Sequence, residues 1–267
     1  MSLRSNALLP CALLLTACGG SSAGGAGDAS PSYGYGSDEA GAPTSIDVTG
    51  AVVGLGGSAT DPITPLDGVM VCVVQHSEIP CVTTDAAGTF TLAKVGPGEN
   101  LAFSFTRTGY YGVVLLAHTG TGALHLPTAN LSTDAAETAF FQAAGWTYPS
   151  ADQGILHVHV EGAGQTSCDG LGQNTLTSSA GATAVYEKTC ADANTPGGPD
   201  PTLAATTTSG NADFMVAPGA VDATDTTSNL LCDLAPFPGW GWSAPQSGSV
   251  AALVLAGHET IVAMQCR

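Results

Sequence analysis

The sequence predicts an all-β protein: two tandem β-sandwiches joined by one short helix. Three observations carry that prediction. Only 10% of the 267 residues are charged, so the helix formers Lys, Glu and Arg are scarce, while Val and Thr recur in short runs that suit strands. Clusters of Gly, Pro, Asn and Asp interrupt those runs at short intervals, among 35 Gly and 16 Pro, and this is the spacing of sandwich strands and their turns. Hydrophobic residues make up 44% of the chain, which separates it from acidic disordered sequences despite a formal charge of −17.

Residues 1–17 hold one cation, Arg4, and an apolar stretch from Ala7 to Leu15 that ends in small residues. That is the layout of a secretory signal peptide, too short to span a bilayer as a retained helix. Residues 18–45 are rich in Gly, Ala and Ser, include Tyr33-Gly34-Tyr35-Gly36, and show no apolar periodicity; they read as a flexible tether. Strands are then expected at Ile46–Val53, Gly68–Val74, Cys81–Thr84, Thr89–Val95, Leu101–Arg107, Gly112–Ala117 and Leu124–Leu126.

Asp134 followed by Glu137 suggests a helix start of the capping-box kind, and the Ala-rich run Ala135–Ala144 carries Phe140 and Phe141 before stopping at Gly145. A second strand series follows: Gly154–Val160, Ala182–Tyr186, Leu203–Thr208, Phe214–Val216, Val221–Thr224, Leu230–Asp233, Val250–Leu255 and Thr260–Cys266. The expected domains are 46–130 and 154–267, each about a hundred residues and of ordinary sandwich size, with the helix and linker at 131–153.

Two resemblances organise this pattern. Leu15-Thr16-Ala17-Cys18 resembles the lipobox of bacterial lipoproteins, which implies cleavage before Cys18 and lipid on its thiol and amine. Several acyl chains on one residue suffice for stable anchoring. Gly19 in place of Asp after that cysteine resembles the sorting pattern for outer-membrane delivery. Val48-Thr49-Gly50-Ala51-Val52, Pro65-Leu66-Asp67-Gly68-Val69, Thr84-Asp85-Ala86-Ala87-Gly88-Thr89-Phe90 and Val95-Gly96-Pro97-Gly98, with Gly109-Tyr110 later, form an ordered series. It resembles the carboxypeptidase regulatory-like domain, a seven-stranded transthyretin-like, Ig-like β-sandwich. The second half resembles it more loosely: Thr208-Ser209-Gly210, Phe214 and Pro218-Gly219 stand for the turn and second reversal, with Thr207 or Thr208 where the turn aspartate stood.

Eight cysteines are present. Cys11 leaves with the leader and Cys18 takes the lipid, so Cys72, Cys81, Cys168, Cys190, Cys232 and Cys266 remain as an even set in an exported chain, which reads as three disulfides. Cys72 and Cys81 flank one short connection and are expected to pair. The other four allow three connectivities. Loss of the leader removes Arg4 and leaves 22 acidic residues against four basic ones. Such a surface repels phosphate backbones and excludes nucleic acid as a partner class, leaving the membrane through the lipid, and cell-surface proteins or glycans.

Among candidate sites, His157, His159 and Glu161 alternate on one strand face. A strand His pair holds zinc if a third ligand converges, and His118, His125 or His258 could supply it. The favoured reading is a solvent-facing polar side opposite Leu156, Val158 and Val160, so neither metal nor cofactor is expected. Asp61 with Asp67, and Asp222, Asp225 and Asp233, lack the dense spacing of a calcium loop. Phe237, Trp240 and Trp242, set among Pro and Gly, could present flat faces to a sugar or a partner; Trp146 and Tyr148 at the junction could do likewise. Such rings more often cover a sandwich end or fill a seam. There is no GxSxG elbow, no HExxH and no phosphate-cradling loop. The expectation is a lipid-anchored, non-enzymatic envelope protein serving as scaffold or protein-binding module, ahead of a carbohydrate-binding module and, last, a metal-dependent hydrolase.

Overall fold

A computed structural model of the chain describes residues 44–55, 62–162, 170–190, 197–227, 232–234, 238–243 and 248–266. The leader, Cys18, nearly all of the tether, Cys168, Asp61 and Phe237 lie outside them. Eighteen strand segments and one helix are described, so the all-β expectation holds at the level of class. Among the described residues no helix is long and apolar enough to cross a membrane.

The first half carries β1 (Ile46–Leu55), β2 (Thr64–Pro65), β3 (Met70–Val73), β4 (Val82–Thr83), β5 (Thr89–Val95), β6 (Asn100–Thr106), β7 (Gly112–His118), β8 (Leu124–His125) and β9 (Ala129–Ser132). Helix α1 (Asp134–Ala144) follows. The second half carries β10 (Gly154–Gly162), β11 (Leu176–Ser178), β12 (Val185–Glu187), β13 (Pro199–Asp200), β14 (Asn211–Val216), β15 (Gly219–Asp225), β16 (Cys232–Leu234), β17 (Ser249–Val254) and β18 (His258–Cys266).

The two halves repeat one topology. In the first, β1 pairs antiparallel with β5 and parallel with β9, while β6 joins β3 and β7. In the second, β10 pairs antiparallel with β14 and parallel with β18, while β15 joins β11 and β17. The turns match atom for atom. Asp85 O accepts from Gly88 N, and Gly88 O accepts from Val52 N, whose own carbonyl accepts from Leu66 N. In the second half Thr207 O accepts from Gly210 N, Gly210 O accepts from Val160 N, and Val160 O accepts from Leu171 N. Thr207 is therefore the residue standing where Asp85 stands.

The chemistry of the first turn follows its sequence. Asp85 Oδ1 accepts from Ala87 N and Thr89 N at 2.9 Å each, and Oδ2 accepts from Thr89 Oγ1 at 2.8 Å. Those bonds, the Thr89 amide foremost, hold the Asp85 carboxyl below its ordinary range. Gly88 and Gly210 sit at φ +74° and +72°, the left-handed region that glycine enters freely.

A seam joins the halves. β7 pairs in parallel with β18, from Gly112 opposite His258 to Leu115 opposite Ile261. One ten-stranded sheet therefore runs β13-β12-β14-β10-β18-β7-β6-β3-β4, with β16 on β18. This explains why Val113–Ala117 is apolar at every position: Val113, Leu115 and Ala117 enter the first core with Phe90, Leu92 and Phe103, while Val114 and Leu116 enter the second with Leu156, Phe214 and Val262. A strand buried on both faces shows no alternation.

Local differences from expectation have local causes. Leu203–Thr208 is not a strand. Asp200 Oδ1 accepts from both the amide and the hydroxyl of Thr202, turning the chain, and Thr206 is bound into the loop at Gln173 and Asn174. The second-half strand at Ala182–Tyr186 begins only at Val185. The helix is capped one residue earlier than expected: the Thr133 hydroxyl accepts from Ala136 N, which puts Glu137 on the buried face with Phe140 and Phe141 instead of in a capping box.

Cys72 and Cys81 form a disulfide across a separation of nine residues. Cys190 and Cys266 are each disulfide-bonded, and the backbone of Cys232 lies opposite Cys266 in the β16–β18 ladder. Closing the short Cys72–Cys81 loop restricts the unfolded chain by about 2–3 kcal/mol on a chain-entropy estimate. Replacing both residues by Ser is expected to lower urea stability by that amount, and an unchanged midpoint would show that the bridge adds nothing.

Candidate functional site

The alternation His157-Val158-His159-Val160 places the valines in the second core and both histidines on the opposite face of β10. The expected solvent-facing side is not found there. His157 is 3% exposed and His159 6%. Ile155 lies on the same face of β10, and Met215 on the same face of β14 as Asp213 and Asn211. Ile155 and Met215 pack with Tyr111, Phe140 and Phe141, and α1 also lies against β13. Helix and loops thus cover a face that alternation alone would leave wet.

Cross-strand register assembles the polar group beneath. His157 stands opposite Asp213, and His159 opposite Asn211, on β14. Val185 pairs with Asp213 on the β12 side, which puts Glu187 beside Asn211. His157 Nδ1 donates to Asp213 Oδ1 at 2.8 Å, with Glu259 Oε1 of β18 at 3.8 Å. His159 Nδ1 donates to Asn211 Oδ1 at 2.5 Å, and Asn211 Nδ2 donates to Glu187 Oε2 at 2.7 Å. Further along, Gln265 Nε2 donates to Glu161 Oε1 at 2.8 Å, and burial raises the Glu161 carboxyl. Asp213 is fully buried, and its Oδ2 has no hydrogen-bond partner among the described residues. His157, Glu187 and Asp213 each bring one donor atom within 4.8 Å of the others.

The two histidines are pushed in opposite directions. Burial alone would lower His157, but Asp213, Glu259 and Glu187 outweigh it and hold the imidazole at about 9. Burial lowers His159 to about 4; the bond to Asn211 opposes the shift and the charge on His157 adds to it. At neutral pH His157 is charged and His159 neutral. Because the folded value of His159 lies below its ordinary 6.5, its contribution to stability is complete above 6.5 and is lost as pH falls toward 4. With chelator present, stability is expected to drop by roughly 2–3 kcal/mol across that window. His159→Gln should flatten the curve, and an equally steep curve in that variant would reject the assignment. His157 has the opposite sign: its contribution is present below 6.5 and fades as pH rises through about 9.

The other sequence candidates lie elsewhere. His118 bonds Asn100, His125 bonds Thr49, and His258 bonds Ala256 O; the partners of His157 are carboxylates instead. Asp67 pairs with Arg107 at 3.2 Å, and Asp225 accepts from Thr227 N. Asp222 and Asp225 lie on one strand, and the side chain of Asp233 lies outside the described residues. Trp240 is half-buried against the first core and Trp242 against the second, where its Nε1 donates to Leu101 O at 2.7 Å. Trp146 and Tyr148 join Phe140, Phe141 and Tyr111 in one aromatic cluster. Glu187, Asn211 and Asp213 are not among the site candidates the sequence offers, and Glu259 enters there only beside His258 as an incomplete HExxH. The signal was present in Asn211-Ala212-Asp213-Phe214, whose polar-apolar alternation mirrors that of His157–Val160.

No protein-family description matches the chain, and no curated protein matches it. Among solved structures, the Bacillus anthracis TIE protein aligns at 13% identity and TM-score 0.26, covering 84% of this chain and 34% of that one, so the chain spans about a third of its length. The minor pilin GBS52 of Streptococcus agalactiae aligns at 11% identity and TM-score 0.26, covering 83% of this chain and 95% of that one. A major pilin of Streptococcus pyogenes aligns at 12% identity and TM-score 0.23, covering 84% and 98%.

Proposed function

We propose that the chain is a lipid-anchored, non-catalytic module of the cell envelope. In this reading two tandem sandwiches of the carboxypeptidase regulatory-like kind, carried on a tether from Cys18 in the outer membrane, serve as a scaffold or protein-binding surface. The address rests on Leu15-Thr16-Ala17-Cys18 behind its apolar leader. The single structural observation that supports the module is the β7–β18 seam. It joins one sheet of each repeat into a single ten-stranded sheet, a body suited to presenting a surface at the end of a flexible spacer.

The hydrolase reading is less well supported, because His157 and Asp213 lie sealed under covering structure where a substrate has no approach. A glycan platform gains little from Trp240 and Trp242 either, since each ring already packs on a core. The test is metabolic labelling with palmitate followed by membrane fractionation. The wild type is expected to incorporate label and sediment with membranes, and Cys18→Ser to lose label and become soluble. Label or membrane retention unchanged in Cys18→Ser would refute the anchor.

A further inference from the structure

We propose that His157, Glu187 and Asp213 form a binding site for one divalent first-row transition ion, of the zinc or manganese kind. The donor set is one imidazole nitrogen and two carboxylate oxygens, all within 4.8 Å of one another. Metal–ligand bonds of about 2.0–2.2 Å place neighbouring donors roughly 3–3.5 Å apart, so a contraction of at most about 1.5 Å closes the cluster on an ion. Mixed imidazole and carboxylate donors suit such ions, whereas calcium requires six to eight oxygens.

Two independent features favour a cation here. The first is charge in a dry place: the Asp213 carboxyl is fully buried, with the imidazole of His157, itself 3% exposed, 2.8 Å away. Buried carboxylates need paired charge or metal. The second is Asp213 Oδ2, which is buried and accepts no hydrogen bond from any described residue, although its sister oxygen is bound by His157. An ion fills that valence.

The surroundings are arranged to orient the donors. His159 donates to the Asn211 oxygen, which turns the Asn211 amide nitrogen onto Glu187 Oε2. His159 and Asn211 are therefore positioning residues, in the way outer hydrogen bonds commonly fix metal ligands. Binding exchanges the His157 proton for the ion, so one proton leaves as the metal enters. Because the site lies under α1 and its neighbouring loops, the ion is taken up as the chain folds and is retained afterwards.

The experiment uses the full disulfide-bonded chain, refolded with chelator or with Zn2+ or Mn2+ alone and freed of loose ion by gel filtration. About one ion per chain is expected to remain, with Tm raised by several degrees over the chelated protein. Co2+ should give ligand-field absorption without a thiolate charge-transfer band. Asp213→Asn should abolish retention, while His125→Asn, at an exposed position on β8 bonded to Thr49, should keep it. Chelated and metal-loaded wild type with equal Tm and less than a tenth of an ion per chain would overturn the proposal. So would retention undiminished in a folded Asp213→Asn, or a thiolate band with Co2+. If Asp213→Asn does not fold, the wild-type retention and the Co2+ spectrum decide the matter. Loss of the Cys18 anchor would leave all of these readings unchanged, so the two proposals fail separately.

Discussion

Gly88→Ala is expected to destabilise the protein by at least about 3 kcal/mol, a large share of the roughly 5–15 kcal/mol that holds a domain folded. Two costs coincide at that position. The backbone sits at φ +74°, which alone costs an alanine about 1 kcal/mol. A Cβ there would also stand 2.4 Å from Val52 O and 3.1 Å from Leu66 N. Neither atom is a flexible side-chain end. Both belong to the ladder that ties the turn to β1, so relief of the clash would sever the bond from Val52 N to Gly88 O. Gly210→Ala repeats the experiment in the second half, where the Cβ would stand 2.4 Å from Val160 O and 2.8 Å from Gly170 Cα. Gly98→Ala is the control, with φ +75° and no atom within 4 Å; it is expected to cost only the conformational term. Urea unfolding of the three variants checks the ranking. Equal losses at Gly88 and Gly98 would mean that the close approach carries no energy.

Phe141→Ala is expected to cost about 3–5 kcal/mol, the range for removing a large buried ring. Phe141 is fully buried and meets Tyr148, Tyr111 and Trp146 edge-on at centroid distances of 5.0, 5.7 and 5.9 Å. These edge-to-face contacts add to the area term. The ring also seats α1 on Ile155, one same-face position from His157. Its loss should therefore both lower the urea midpoint and expose the buried histidines, read as faster modification by diethylpyrocarbonate. Gln142→Ala, on the exposed side of the helix, should change stability by less than about 0.5 kcal/mol. A Phe141→Ala protein that loses stability with no gain in histidine reactivity would show that the helix anchors the fold without sealing the polar group.

What the sequence revealed was mostly local. The Thr-Asp-x-x-Gly turn is specified within five residues, and its hydrogen bonds fall where Asp85 and Gly88 place them. The helix was legible from its Ala/Phe pattern and its Gly145 stop, with the cap displaced by one residue to Thr133. The burial of the polar face of β10 is not legible locally, because alternation reports that two faces differ and does not say whether the polar one meets water. That depended on a helix eleven residues long laid across the sheet and on Asp213, Glu187 and Glu259 arriving from three other strands. Leu203–Thr208 failed for the opposite reason: its Thr content suits a strand, but Asp200 and Thr206 spend their hydrogen bonds on a turn and a loop. The seam was invisible to local reading, although the unbroken apolar run of β7 carried its trace.

That seam also dictates the order in which the molecule can be completed. Residues 112–115 find their partners only at residues 258–261, so a chain emerging from its N-terminus holds that edge of β7 bare until about 140 further residues have been delivered. Parallel pairings of such long range form slowly, and a bare apolar edge recruits strands from other molecules. The interval between synthesis of β7 and arrival of β18 is then the period of greatest exposure to misassembly, when a chaperone would have most to protect. A nonsense mutation between β14 and β18 would make that period permanent, leaving on β7 and on β10 the edge that β18 otherwise pairs.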